Sequence, residues 1–442
     1  MRRTRRGALG ALVAVAGGAL VLAGCSSGGG GGGGGEGEDE AVSITVLVGN
    51  TETDLLVNEA LVEAFTAEHP NIEVELETRP GGTEGDNIVK TRLSTGDMPD
   101  AFVYNSGSLF QAINPVQNLV DLSDEPFVDN VDESFWPVVS VDDTIYGAPA
   151  GVLSSGGIMY SIPIYEELGL EVPTTWDAFM ENNDAIAEAG YTPVIQSYQE
   201  TWTSQVLMLG DFHNVAAEYP DFAEEYTANE TSYGTNPAGL RSFEKLQEVH
   251  DAGYLNEDFA SATFNDGLAM LATGEGAHYP MLTGALANIK ANHPENVDDV
   301  GFFAIPGEDA ETNGATVWLP AGWYIPTTTE GAQLEAAKEW VNFIASAAGA
   351  TAEVEAVGAN GPYLLNDYTL PDDVPRMVQD LQVYVDEGAM TPALEFLSPI
   401  KGPSLEQITV EIGSGIRSAA DGAALYDEDV EKQAQQLGLE GW

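Results

Sequence analysis

The sequence predicts an α/β protein with more than one lobe, and three observations carry that expectation. At 442 residues the chain exceeds what one ordinary hydrophobic core holds, so two domains or two lobes are expected. Apolar residues make up 43% of it, the level of a packed protein. Between Val42 and Tyr104 the spacing of apolar residues switches repeatedly between two-residue and helical periods, the mark of a βαβαβ run.

The elements follow in order. Val42, Ile44, Val46 and Val48 alternate with polar positions and stop at Gly49-Asn50, giving a strand and its exit loop. Asp54 to Glu68 places Val57, Leu61, Ala64 and Phe65 on one helical face and ends at His69-Pro70. Ile72, Val74 and Leu76 then alternate with Glu73, Glu75 and Glu77 as a second strand. A helix over 85–95 stops at Gly96, and Pro99-Asp100 leads into an apolar strand, Ala101 to Tyr104. Right-handed crossovers make such a run a parallel sheet with its crevice at the carboxyl ends of the strands. The exit loops Asn50-Thr51-Glu52 and Asn105-Ser106-Gly107 are therefore expected to face a cleft.

Beyond this run, 145–149 and 157–160 read as strands, and Thr174-Thr175-Trp176-Asp177 opens a helix with a threonine or aspartate cap. Leu240, Phe243, Leu246 and Val249 mark an amphipathic helix closing at Gly253. Val317 to Ile325 is a strand interrupted by Pro320 and Gly322, and 336–347, with Trp340, is a strongly apolar helix. The chain carries no internal repeat.

Charge narrows the partners. Lys plus Arg total 15 against 71 Asp plus Glu. Four of the arginines lie in the first six residues, so beyond residue 24 the balance is 11 against 71, a net −60. Nucleic acid is excluded, because binding it rests on releasing counterions with Lys and Arg. An anionic membrane surface repels such a chain as well. The carboxylates are spread along the whole sequence, as in proteins kept soluble at high salt, where repulsion is screened.

The opening segment reads as an address. Residues 1–6 are basic, Ala8 to Leu22 are apolar and small, and the layout is that of a signal peptide over 1–24. Its apolar stretch is short of the roughly 20 residues that span a bilayer. Leu22-Ala23-Gly24-Cys25 resembles a bacterial lipobox, whose cysteine thiol receives a lipid, so Cys25 is the expected lipidation site. Residues 25–40, with eight consecutive glycines, form a tether with a flexible reach of about 20 to 24 Å. Twin-arginine and general export both fit the basic start. Cys25 is the only cysteine, so an internal disulfide is excluded.

The stretches "FTAEHPNIEVE", "TRLSTGDMPDAFVYN", "IYGAPAG", "IYEELGLEVPTTWDAF", "FNDGLAMLATGEGAHYP" and "AAKEWVNFIAS" occur in the order and spacing seen in family 1 extracellular solute-binding proteins, which the chain resembles from 41 to 442. The resemblance implies a two-lobe periplasmic-binding-protein-like α/β fold, with a hinge of crossing segments and a ligand cleft between lobes. It implies crossings near 151–154, 315–317 and 346–349, with lobe one over 41–152 and 317–346 and lobe two over 153–316 and 347–442. It also implies an extracellular, lipid-anchored monomer that delivers a carbohydrate to the permease of an ABC transporter, without a cofactor.

A sugar needs planar arms for bidentate hydrogen bonds and aromatic plates for its C–H faces. Strand order aims Glu52 and Asn105 at the crevice; Asp211 and Glu395 are further polar candidates. Trp202 stands in a polar stretch, Gln199 to Gln205, that does not bury an indole by periodicity. The resemblance adds Trp323, where a crossing segment meets the cleft, and Tyr279, at a position that often carries a cleft aromatic. The five histidines are scattered without ligand spacing, and neither a phosphate loop nor a G-x-S-x-G elbow is present, so no metal and no catalytic residue is expected. Two alternatives stay open: a secreted glycoside hydrolase, which needs a pair of acids across a cleft, and a receptor of the same fold for another neutral polar solute.

Overall fold

The computed structural model describes residues 41–439 and 441–442. The signal peptide, Cys25 and the tether lie outside the described residues. The chain begins with β1 (Val42–Gly49), α1 (Glu52–Glu68), β2 (Ile72–Arg79), α2 (Gly82–Thr95) and β3 (Ala101–Tyr104). β1 pairs in parallel with both β2 and β3, as the βαβαβ pattern requires. α1 starts one turn's fraction earlier than its apolar stripe because Thr51 and Asp54 form a capping box, the Thr51 hydroxyl accepting from the Asp54 amide at 3.1 Å. Gly96 ends α2 with φ at 72°, a left-handed cap that a side chain disfavours.

β4 (Gly147–Ala150) stays with this first sheet, and the chain then passes through 151–153 into β5 (Ser154–Ser161), the centre of a second sheet. β6 (Thr192–Val194), β7 (Gly276–Leu282), β8 (Val300–Ala304) and β9 (Ala315–Trp318) complete most of that second sheet. After Leu319-Pro320 the chain returns to the first sheet as β10 (Ala321–Tyr324). The stretch expected as one interrupted strand is thus two strands in two sheets, and the interruption is the passage between them. The passage also falls a few residues later than the 315–317 expected, because β9 remains paired with β5 through Trp318.

α3 (Gly331–Ile344) and α4 (Ala347–Val357) follow. α3 packs under β1 and β4, where Trp340 meets Phe65 of α1 at 5.2 Å and Trp323 of β10 at 5.5 Å, both edge-on. Edge-on aromatic pairs add about 0.5–1.5 kcal/mol beyond their burial. α4 packs along α1 through small residues such as Ala350 and Ala352. The join at 346–349 is therefore a turn within the first-sheet side and not the expected crossing. The chain leaves later: Pro362 and Leu364 still bond Leu153 and Asp132, whereas α5 (Arg376–Asp386) packs on β8. β11 (Met390–Pro392) then pairs in parallel with β9, and a short helix, α6 (Leu394–Leu397), follows.

The sheet orders are β2-β1-β3-β10-β4 and β11-β9-β5-β7-β6, with β8 also on β5. Around the second sheet, Phe179, Phe243 and Tyr426 come from helices Trp176–Ala189, Pro237–Asp251 and Ala419–Leu437 to build a second aromatic core.

Candidate functional site

Two loops from different sheets meet at the passage between them. From the first sheet comes the exit of β3. Ser106 donates to the Pro320 carbonyl at 2.8 Å, which locks this loop to the crossing segment, and the Tyr324 hydroxyl donates to the Asn105 carbonyl at 3.2 Å. Gly107 follows with φ at 68°; a Cβ there would stand 2.8 Å from the Phe396 ring, so the loop can approach α6 only as glycine. From the second sheet come Trp318, at the end of β9, and the segment from α6 to Lys401. The Trp318 indole packs against β5 because residue 156 is glycine, a Cβ there being 2.6 Å from the indole.

These parts enclose a cavity of about 380 Å³ lined by Asn105, Ser108, Trp318, Glu395, Phe396 and Lys401, among others. The Trp318 indole N–H donates to Glu395 Oε1 at 2.6 Å, and Lys401 Nζ donates to Oε2 at 3.1 Å. Each carboxylate oxygen keeps a lone pair for a ligand while its charge is balanced by Lys401. The cavity therefore offers an amide, a hydroxyl, a neutralised carboxylate and two aromatic surfaces, which is a chemistry for an uncharged, hydroxyl-bearing molecule. Glu395 is the one carboxylate among the described lining residues.

Of the seven residues expected to hold a ligand, the structure brings Asn105 and Glu395 together here. Glu52 is the first residue of α1. Trp202 is partly exposed and lies beside Phe264, ring centres 5.4 Å apart, outside this cavity's lining.

The other three are buried elsewhere. Asp211 and Lys245 are each 1% exposed and form an ion pair at 2.5 Å; Ser242 and Asn214 donate to the same carboxylate at 2.7 Å. With both oxygens occupied, Asp211 is a core acid. Tyr279 points from β7 into the space left by Gly267 and shares a 2.6 Å hydrogen bond with Ser197. Burial pushes its hydroxyl pKa up. Trp323 is 2% exposed beneath the first sheet. The chain changes sheet at the passage, so residues next to it in sequence need not reach the cleft.

Sequence reasoning missed Trp318, Phe396 and Lys401. Trp318 directly precedes the Leu319-Pro320 break, and that break was the available signal. It also missed Arg79, at the carboxyl end of β2, whose guanidinium donates to the Val103 carbonyl at 3.0 Å and lies over the Tyr104 ring. Burial lowers the Arg79 pKa, while Tyr104, Asp54 and Asp86 act to raise it. Among the described residues, no group of three or more His, Cys, Asp or Glu could hold a metal ion. No described helix is long and apolar enough to cross a membrane.

Residues 51–351 match the family described as bacterial extracellular solute-binding protein. A relative named multiple sugar-binding protein, from Streptococcus mutans, is 25% identical over 266 residues, which are 58% of this chain and 60% of that one. The chain thus spans about three fifths of that relative's length. Among solved structures, the apo form of RafE from Streptococcus pneumoniae superposes with a TM-score of 0.76 at 18% identity, covering 90% of this chain and 100% of the other. A chitin oligosaccharide binding protein gives 0.71 at 20% identity, covering 89% and 99%. The fold is the two-lobe α/β fold of such binding proteins, and with the match over 51–351 the chain belongs to the bacterial extracellular solute-binding protein family.

Proposed function

We propose that this chain is the sugar receptor of an ABC importer, which takes up a neutral carbohydrate between its lobes and hands it to a permease without altering it. The observation that carries the reading is the cavity shared by the Asn105 loop and the Trp318–Glu395–Lys401 group, one from each sheet. A molecule held there touches both lobes, and only such differential contact can drive closure. Its single carboxylate, engaged by Trp318 and Lys401, supports binding over glycoside hydrolysis, which uses two acids. The names of the relatives, a multiple sugar-binding protein and a chitin oligosaccharide binding protein, point to the same ligand class.

The sheet pairings support a division into two lobes. Lobe one is 41–150 with 321 to about 370, and lobe two is 154–318 with about 375 to 442, the passages being 151–153 and 319–320 and the third crossing lying between Asn366 and Arg376. Trp202 and Glu52 remain candidates at the rim of the closed form. Cys25 carries the lipid and residues 25–40 the leash that keep this monomer outside the cell. The acidic surface suits high salt, so the melting temperature is expected to rise between dilute buffer and molar salt; an unchanged value removes the halophilic reading.

Calorimetric titration with mono- and oligosaccharides in high salt tests the function. Binding heat without product supports it, and steady release of shorter sugars replaces it with hydrolysis. Glu395→Gln should weaken the best ligand roughly tenfold, or about 1.4 kcal/mol.

A further inference from the structure

A second cavity, of about 220 Å³, lies beside the first passage and is lined by Asn58, Gly151, Val152, Trp323, Glu353 and Tyr363, among others. Two of its polar groups are incompletely satisfied. Glu353, 7% exposed, accepts from the Tyr363 hydroxyl at 2.9 Å and has no ion-pair partner among the described residues. Asn58, also 7% exposed, donates its amide N–H to the Asp54 carbonyl at 2.7 Å, which fixes its orientation and leaves Oδ1 as a buried acceptor without a partner. An ionised Glu353 gives this cavity only acceptors. A protonated Glu353 supplies the donor that Asn58 lacks, directly or through one water, for which the space suffices.

We infer that this cavity is a proton site: Glu353 holds a proton directed toward Asn58, tying α4 to α1 where the chain crosses between lobes. Burial raises the Glu353 pKa to about 7, against the pull of the Tyr363 hydrogen bond. The other titratable groups around it are Asp54 on α1 and Tyr363 and Tyr368 on the following segment. Of the nearby lysines, Lys290 is bound to the Ala359 carbonyl and Asn360, and Lys338 of α3 is paired with Glu125. Neither neutralises Glu353.

The site touches the hinge mechanically. The Leu153 amide donates to the Pro362 carbonyl at 2.8 Å, and a Cβ on Gly361 would fall 2.5 Å from the Leu153 carbonyl, so the strap 361–363 lies flat on the passage. Tyr363, on that strap, is held by Glu353. Loss of the proton loosens α4 and the strap together, and the lobes then have more freedom to lose on closing. This coupling rests on the sugar-receptor reading; the proton site does not.

The test compares the full chain with Glu353→Gln, which keeps an acceptor for Tyr363 and a permanent donor for Asn58. Infrared difference spectra between pH 5.5 and 8.5, without ligand, should contain a protonated-carboxyl band that the variant lacks. The wild type should bind sugar roughly threefold tighter at pH 5.5 than at 8.5, and the variant equally at both. Asn58→Leu should shrink the wild-type difference. Identical infrared spectra overturn the proton site, as does a potassium-specific rise in melting temperature that Glu353→Gln abolishes, which would make it a cation site. A band present with equal affinities at both pH values overturns the coupling. Absence of sugar binding at either pH overturns the receptor reading and the coupling with it, while the band still reports the proton.

Discussion

Trp318 and Trp323 stand five residues apart on consecutive strands and do opposite things. Trp318 ends β9 in the second sheet, half-buried, with its N–H on Glu395 at the wall of the inter-lobe cavity. Trp323 sits in β10 of the first sheet, edge-on to Trp340 and 2% exposed. The Leu319-Pro320 passage between them moves the chain from one sheet to the other. Proximity to a hinge in sequence therefore carries no information about which side of the wall an indole takes. The same lesson separates two acid–lysine pairs. Asp211–Lys245 is sealed in the second core, whereas Glu395–Lys401 is 30% and 40% exposed at the cavity.

The largest expected effects break the buried members. Trp323→Ala should cost about 3–5 kcal/mol of stability in a denaturant melt, yet change affinity for the proposed sugar far less than Trp318→Ala does, where the variant is folded. Lys245→Met should cost a similar amount, about 3–5 kcal/mol, because it strands the Asp211 carboxylate. Next come the cavity members. Trp318→Ala should weaken binding about tenfold by titration, with a much smaller loss in the melt. Lys401→Met should cost less than about 1 kcal/mol of stability, as exposed pairs do, while altering affinity. If the affinity loss instead follows Trp323, the two indoles have been assigned to the wrong sides.

The last comparison concerns pH. His278 lies buried between the Tyr165 hydroxyl, 2.7 Å from Nε2, and Asn183 Oδ1, 2.9 Å from Nδ1, and burial lowers its pKa to about 3. The unfolded chain takes up that proton near 6.5, so His278 destabilises the fold as pH drops below 6.5, by up to about 1.4 kcal/mol per pH unit. Glu353 acts in the opposite sense, adding stability as pH falls from about 7 toward its ordinary 4.5. Melting curves of His278→Gln and Glu353→Gln, each subtracted from wild type, should slope in opposite directions across pH 4.5 to 7; parallel slopes overturn both assignments.

Much of the first sheet was legible because strands and helices alternate there with clear periods. Asn105 was legible for the same reason: strand order alone aims a β3 exit loop at the crevice. Glu395 lies on the short helix α6, which the pairing of β11 with β9 carries to the cavity, a contact that no local pattern records, so residue type alone singled it out. Asp211 was illegible because its partner, Lys245, sits on the buried stripe of a helix where a lysine reads as solvated. Tyr279 and Trp323 depend on Gly267 and Trp340, which are distant in sequence but adjacent in the core. The join at 346–349 misled because small residues there let α4 fold back on α1.

Along the two strand-to-strand passages the register is continuous on both sides: Ala321 faces Ala150, and Trp318 faces Ser154. Only 151–153 in one connection and 319–320 in the other lack ladder partners. Two of the three crossings thus form a two-stranded ribbon whose one soft stretch sets three residues against two. A swing about it ruptures no sheet hydrogen bond, and its cost falls on the bonds that hold the passages, Ser106 to Pro320 and Leu153 to Pro362. The balance is left to those bonds, to the strap and to whatever lies between the jaws, and amides of β4, β5, β9 and β10 should stay equally slow to exchange with deuterium whether the cavity is empty or full.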